Sequence, residues 1–148
     1  MIEIALHTAD NNWWKRLILL FAQPDTPFEI HCWQDEPQWI AAAQQFGTVQ
    51  QSSEGFNGVI VSGRMTQTLI DFLKQIEKPT DTEIYNKQTP FFSIFLNGFS
   101  SEHYGTELHI TVPPEEVNGL PQLLQELSAL NEVEMGIIEV DYHIAPQR

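Results

Sequence analysis

Four short stretches of this chain alternate between apolar side chains and side chains that are mostly acid or histidine: residues 2–7, 28–33, 107–112 and 138–143. Successive side chains on a strand point to opposite faces, so each stretch predicts a β-strand with one greasy and one polar face. Ile2, Ile4 and Leu6 oppose Glu3 and His7; Phe28, Ile30 and Cys32 oppose Glu29, His31 and Trp33. Leu108, Ile110 and Val112 oppose Glu107, His109 and Thr111, and Ile138, Val140 and Tyr142 oppose Glu139, Asp141 and His143. Strands of this kind belong to a sheet that is covered on one side and solvated on the other.

Between them lie stretches with helical spacing. Trp13, Trp14, Leu17, Ile18, Leu20 and Phe21 recur every three or four residues after Asp10 or Asn11, either of which can cap a helix. Trp39, Ala42, Ala43 and Phe46 mark a second helix opened by Asp35 and Pro37; Met65, Leu69, Phe72, Leu73 and Ile76 mark a third over 64–76. Leu123, Leu124, Leu127 and Leu130 mark a fourth, starting at Pro121. Burial of both Trp13 and Trp14 under the helical layer is expected. Further strands are predicted at 48–51 and 58–62, the last two alternating stretches belong to strands over 106–112 and 133–144, and the apolar run 90–98 reads as a central strand buried on both faces. Residues 99–105 read as a loop, with Phe99 and Tyr104 packing on the sheet. The expected architecture is therefore α+β: a single domain over 1–148, with one mixed, largely antiparallel sheet of six to seven strands and helices on one side.

Charge narrows what such a domain can touch. The chain has 20 Asp and Glu against 7 Lys and Arg, a net charge of -13. No Lys or Arg falls between Lys87 and Arg148, an interval that holds Glu102, Glu107, Glu115, Glu116, Glu126, Glu132, Glu134, Glu139 and Asp141. A field of that sign repels phosphates and attracts basic surfaces. Nucleic-acid binding needs clustered Lys and Arg, and the only adjacent pair is Lys15-Arg16. Membrane association is not expected either, since the longest apolar run, 17–22, is far short of a span. The expectation is a cytoplasmic protein. Apolar residues make up 42% of the chain and aromatics are plentiful, which supports a packed core rather than disorder. The lone Cys32 rules out an internal disulfide and reads as a small core residue.

Motifs for catalysis are missing. There is no Gly-x-Ser-x-Gly, no phosphate-cradling glycine loop, no His-Glu-x-x-His and no paired cysteines. His109-Ile110-Thr111 matches half of a two-histidine phosphoesterase signature, but the other half is absent and no cationic groove is available. Two readings of the polar strand face remain. In the first, Glu102, His103 and Tyr104 of the loop join Glu107, His109, Glu139, Asp141 and His143 to bind a basic protein partner. The chain would then act without catalysis, cofactor or metal, as a monomer or a homodimer. In size and acidity it is similar to bacterial immunity proteins, which block cationic nuclease toxins; that resemblance rests on gross properties and implies a toxin domain as the partner. In the second, His109, His143 and Glu107 form a pocket for a small ligand, a metal or a substrate.

Overall fold

The computed structural model describes residues 1–51, 57–80 and 85–137. Their eight strands are β1 (Ile2–Leu6), β2 (Pro27–Trp33), β3 (Thr48–Gln51), β4 (Gly58–Arg64), β5 (Ser93–Leu96), β6 (Phe99–Glu102), β7 (Glu107–Ile110) and β8 (Val133–Ile137). The helices are α1 (Asn12–Phe21), α2 (Pro37–Gln44), α3 (Gln67–Gln75) and α4 (Leu120–Ser128), with a single 3-10 turn at Pro114–Glu116. All strands join one sheet in the order β3-β4-β2-β5-β6-β7-β1-β8. Every described pairing is antiparallel, so the expected α+β class holds with more strands than the sequence pattern predicted and no parallel pair.

The extra strand comes from residues 99–102, which were expected in a loop. Asn97 and Gly98 make a two-residue turn that folds β6 straight back on β5, with Gly98 at φ 78. A side chain at Gly98 would meet Val112 Cγ1 at 2.7 Å as well as straining the backbone. The central strand is correspondingly shorter than 90–98.

One hydrophobic cluster fills the covered side of the sheet. It takes Ile2, Ile4 and Leu6 from β1, Phe28, Ile30 and Cys32 from β2, and Leu108 and Ile110 from β7, the apolar halves of the alternating patterns. Each helix contributes its apolar stripe: Trp14, Leu17, Ile18 and Phe21 from α1; Ala43 from α2; Leu69, Ile70 and Leu73 from α3; Leu120, Leu123 and Leu127 from α4. Trp14 is fully buried and donates from Nε1 to Ser101 Oγ at 2.9 Å, which satisfies both polar atoms inside the core. Trp13, expected to be buried as well, is only half-buried against the edge of the core. Its ring lies under the Arg16 guanidinium at 4.5 Å, because neighbouring helical residues diverge by about 100° and only one can face inward.

Capping follows the sequence in part. Thr66 caps α3 by accepting from the Leu69 amide at 3.2 Å, while Arg64, expected in that helix, ends β4 instead. Asn11 precedes α1 but spends its side chain inward, donating to the Ile76 and Gln88 carbonyls at 3.2 Å each. Asp10 takes over the first turn, accepting from the Asn12 amide at 3.0 Å. No helix among the described residues is long and apolar enough to cross a membrane.

Candidate functional site

The helix-free side of the sheet gathers the polar halves of the strands. Register places Ser100 of β6 opposite His109 of β7, and His109 opposite Glu3 of β1. One step along, Glu102 faces Glu107, Glu107 faces Ala5, and Ala5 faces Glu134 of β8. Glu29 of β2 belongs to the same face beyond β5, where it pairs with Phe95. The eight strands carry five carboxylates in all (Glu3, Glu29, Glu102, Glu107 and Glu134), and every one lies on this side. Among the described strands the single Lys or Arg is Arg64, at the far end of β4 and bonded to Asp25 at 3.0 Å. Between β7 and β8 the surface dips into a shallow depression of about 260 Å³ lined by Glu3, Glu107, His109 and Glu134.

Histidines interleave with these acids. His109 sits at the centre, its Nδ1 3.6 Å from Glu3 and its Nε2 3.4 Å from Glu102. Glu102 also accepts from the Ser100 hydroxyl at 2.8 Å. His103 Nδ1 bonds Glu107, His7 bonds Glu134 at 3.2 Å, and His31 bonds Glu29 at 3.1 Å. Each of the four described histidines thus stands against a glutamate. Exposed pairs like these contribute ~0–1 kcal/mol each. Glu102 and Glu107 stand directly opposite each other, a like-charge pairing that is destabilising across an antiparallel ladder.

The loop expected to supply partner contacts divides between two surfaces. His103, Tyr104 and Gly105 have φ of 50, 59 and 80, three left-handed residues in a row at the tip of the β6–β7 hairpin. For the two that carry side chains this costs about 1–2 kcal/mol each. Hydrogen bonds hold the tip in place: the Gly105 amide donates to the Glu102 carbonyl and the Tyr104 amide to the Phe92 carbonyl, while the Gln88 and Thr89 amides both donate to the Tyr104 carbonyl. Gln88 is itself buried and fixed by Thr8 and Asn11. This geometry leaves His103 beside the acidic face and turns Tyr104 inward, where it is only 8% exposed.

Tyr104 opens onto a second feature, a groove of about 750 Å³ at the end of the sheet. Phe92 is central to its walls, with ring centroids 4.7 Å from Trp33, 5.2 Å from Tyr104 and 5.7 Å from His103. Tyr85 lies nearly parallel to His103 at 5.8 Å. The Tyr104 hydroxyl donates to Glu36 Oε1 at 3.1 Å, and Lys87 Nζ rests 4.3 Å above the Tyr104 ring. Burial pushes the Glu36 carboxyl above the usual carboxylate range, against the pull of the Tyr104 hydrogen bond and of Lys87. Burial, then the Glu36 charge, hold the Tyr104 phenol well above its ordinary value, so it stays a donor. Nearby Cys32 is buried and pushed up to about 12 by burial first and Glu36 second.

Among the residues predicted from sequence, Glu102, His103, Glu107 and His109 converge on the open face, and Tyr104 belongs to the groove. Glu139, Asp141 and His143 lie outside the described residues. His109 and Glu107 both line the shallow depression, with His109 set against Glu3 and Glu102 and Glu107 bonded to His103. No group of three metal-ligating side chains converges among the described residues. Sequence reasoning missed Ser100 and Glu134 on the face, and Glu36, Tyr85, Lys87 and Phe92 in the groove. The Asn97-Gly98 dipeptide, a strong hairpin signal, could have found the first. No local pattern marks the groove, because its walls come from segments some fifty residues apart. No protein-family model, curated protein or solved structure matches this chain, so its function must be argued from the two surfaces themselves.

Proposed function

We propose that the chain is a non-enzymatic acidic binding protein that masks a basic protein partner with its open sheet face. The concrete form is an immunity protein covering a cationic, nuclease-like toxin. The observation that carries this reading is the segregation of all five carboxylates of the described strands onto the helix-free side, including the directly opposed Glu102 and Glu107. A fold has no use for that pairing. A surface meant to meet Lys and Arg does, because the partner's charges relieve it on docking.

The arrangement also suits the kinetics of neutralisation. Uncompensated charge steers a basic protein into encounter, and aromatic side chains beside the face supply contact area that slows release. The test is calorimetric titration against the basic product of an adjacent gene. A nanomolar Kd, about -12 kcal/mol, that weakens steeply with added salt supports the proposal. No measurable binding, or an affinity indifferent to ionic strength, overturns it.

A further inference from the structure

The groove holds a charge arrangement that points to an occupant. Its rim carries two carboxylates, Asp35 and Glu36, against one ammonium, Lys87, which leaves one negative charge in excess. Its walls are ring faces, and one of them already carries a cation: Lys87 above Tyr104. Glu36 is partly removed from water and accepts a hydrogen bond from the neutral Tyr104 hydroxyl. His103 links this rim to the acidic face, since the same ring bonds Glu107 and stacks with Tyr85.

From this we infer that the groove seats one arginine side chain of the basic partner, guanidinium against Asp35 and Glu36 and its plane on the aromatic walls. The inference rests on the reading of the open face as a docking surface for a basic protein. Arginine fits better than lysine on chemical grounds. Guanidinium is planar, weakly hydrated and able to stack on rings while donating in a fork to carboxylates; ammonium is compact and holds its water.

The test uses the full chain, isotopically labelled, titrated in NMR with the capped tripeptide Ac-Gly-Arg-Gly-NH2. Matched peptides carry lysine or citrulline, the uncharged isostere, in the central position. The arginine peptide should shift Trp33, Gln34, Tyr85 and His103 resonances in a saturable way, and the citrulline peptide should bind at least tenfold more weakly. Glu36→Gln, which still accepts from Tyr104, should weaken the arginine peptide at least tenfold. Lys87→Met should tighten it at least threefold, a gain that damage to the fold cannot mimic. Equal responses to arginine and citrulline, or to arginine and lysine, or an unchanged affinity in Glu36→Gln, overturn the assignment. If the peptide fails while charge reversal on the sheet face still releases the protein partner, the groove inference falls alone. If the peptide binds as described but no basic protein does, the site stands for a free guanidinium compound and the docking reading falls.

Discussion

Gly105→Ala puts the positioning of the β6–β7 tip to a quantitative test. At φ 80 an alanine occupies a backbone region that costs about 1–2 kcal/mol. Its Cβ would also stand 2.9 Å from both Cδ1 and Nε1 of Trp14 and 3.0 Å from Gln88 Cβ. Contact normally begins near ~3.5–4.0 Å, so something must move by roughly half an ångström or more. Neither neighbour can give easily. Trp14 is fully buried and bonded to Ser101, and Gln88 is fully buried and tied to Thr8 and Asn11. Overpacking at such a site costs about 1–3 kcal/mol, which brings the total to about 2–5 kcal/mol. With a urea slope of about 2 kcal/mol per molar, the unfolding midpoint should fall by about 1–2.5 M. Tryptophan fluorescence and far-ultraviolet circular dichroism should report the same transition. Gly136→Ala is the control, because nothing lies within 4 Å of the added methyl; its effect should stay within about 0.5 kcal/mol. A Gly105→Ala midpoint indistinguishable from that control would refute the claim that this tip is pinned against Trp14.

Other consequences are simpler to read. Trp14→Phe should destabilise by about 1–3 kcal/mol, since it strands the buried Ser101 hydroxyl, and adding Ser101→Ala should restore part of the loss in the same urea assay. Cys32, buried with its thiol pushed up to about 12, should resist Ellman's reagent in the native protein and react fully once urea unfolds it. Glu36 has a folded-state pKa raised above its unfolded value, so the native state holds the extra proton between the two. Its contribution to stability therefore falls as pH rises through that window. Glu36→Gln should raise the urea midpoint at neutral pH and lose that advantage below the ordinary carboxylate range.

Much of the fold was legible because two periodicities carry it. Alternation in 2–7, 28–33 and 107–112 identified both the strands and which side chains face the core. Three- and four-residue spacing found all four helices. The turn at Asn97-Gly98 was absorbed into the end of the apolar run 90–98, and the polar Ser100-Ser101-Glu102 after it read as loop, so the second hairpin strand was missed. The site was legible only in kind. Alternation told that Glu107 and His109 share a polar face, but their partners depend on β1 lying between β7 and β8, and that pairing spans more than a hundred residues. Local pattern carries no information about such closures. The groove is the extreme case, assembled by the pairing of β2 with β5 and by a tip that holds Tyr104 in a left-handed conformation bulky side chains rarely adopt.

The most direct test of the central claim compares two charge reversals of equal size. Glu107→Lys with Glu134→Lys alters the open face, where these side chains are 50% and 78% exposed. Glu115→Lys with Glu116→Lys makes the same change in net charge on the exposed 3-10 turn beside α4. The affinity of each for the proposed basic partner, measured at one ionic strength, should fall at least a hundredfold for the first pair, about 2.7 kcal/mol, and less than threefold for the second. Equal losses for both pairs would mean that bulk charge, and not the gathering of carboxylates on one face of the sheet, governs what this protein binds.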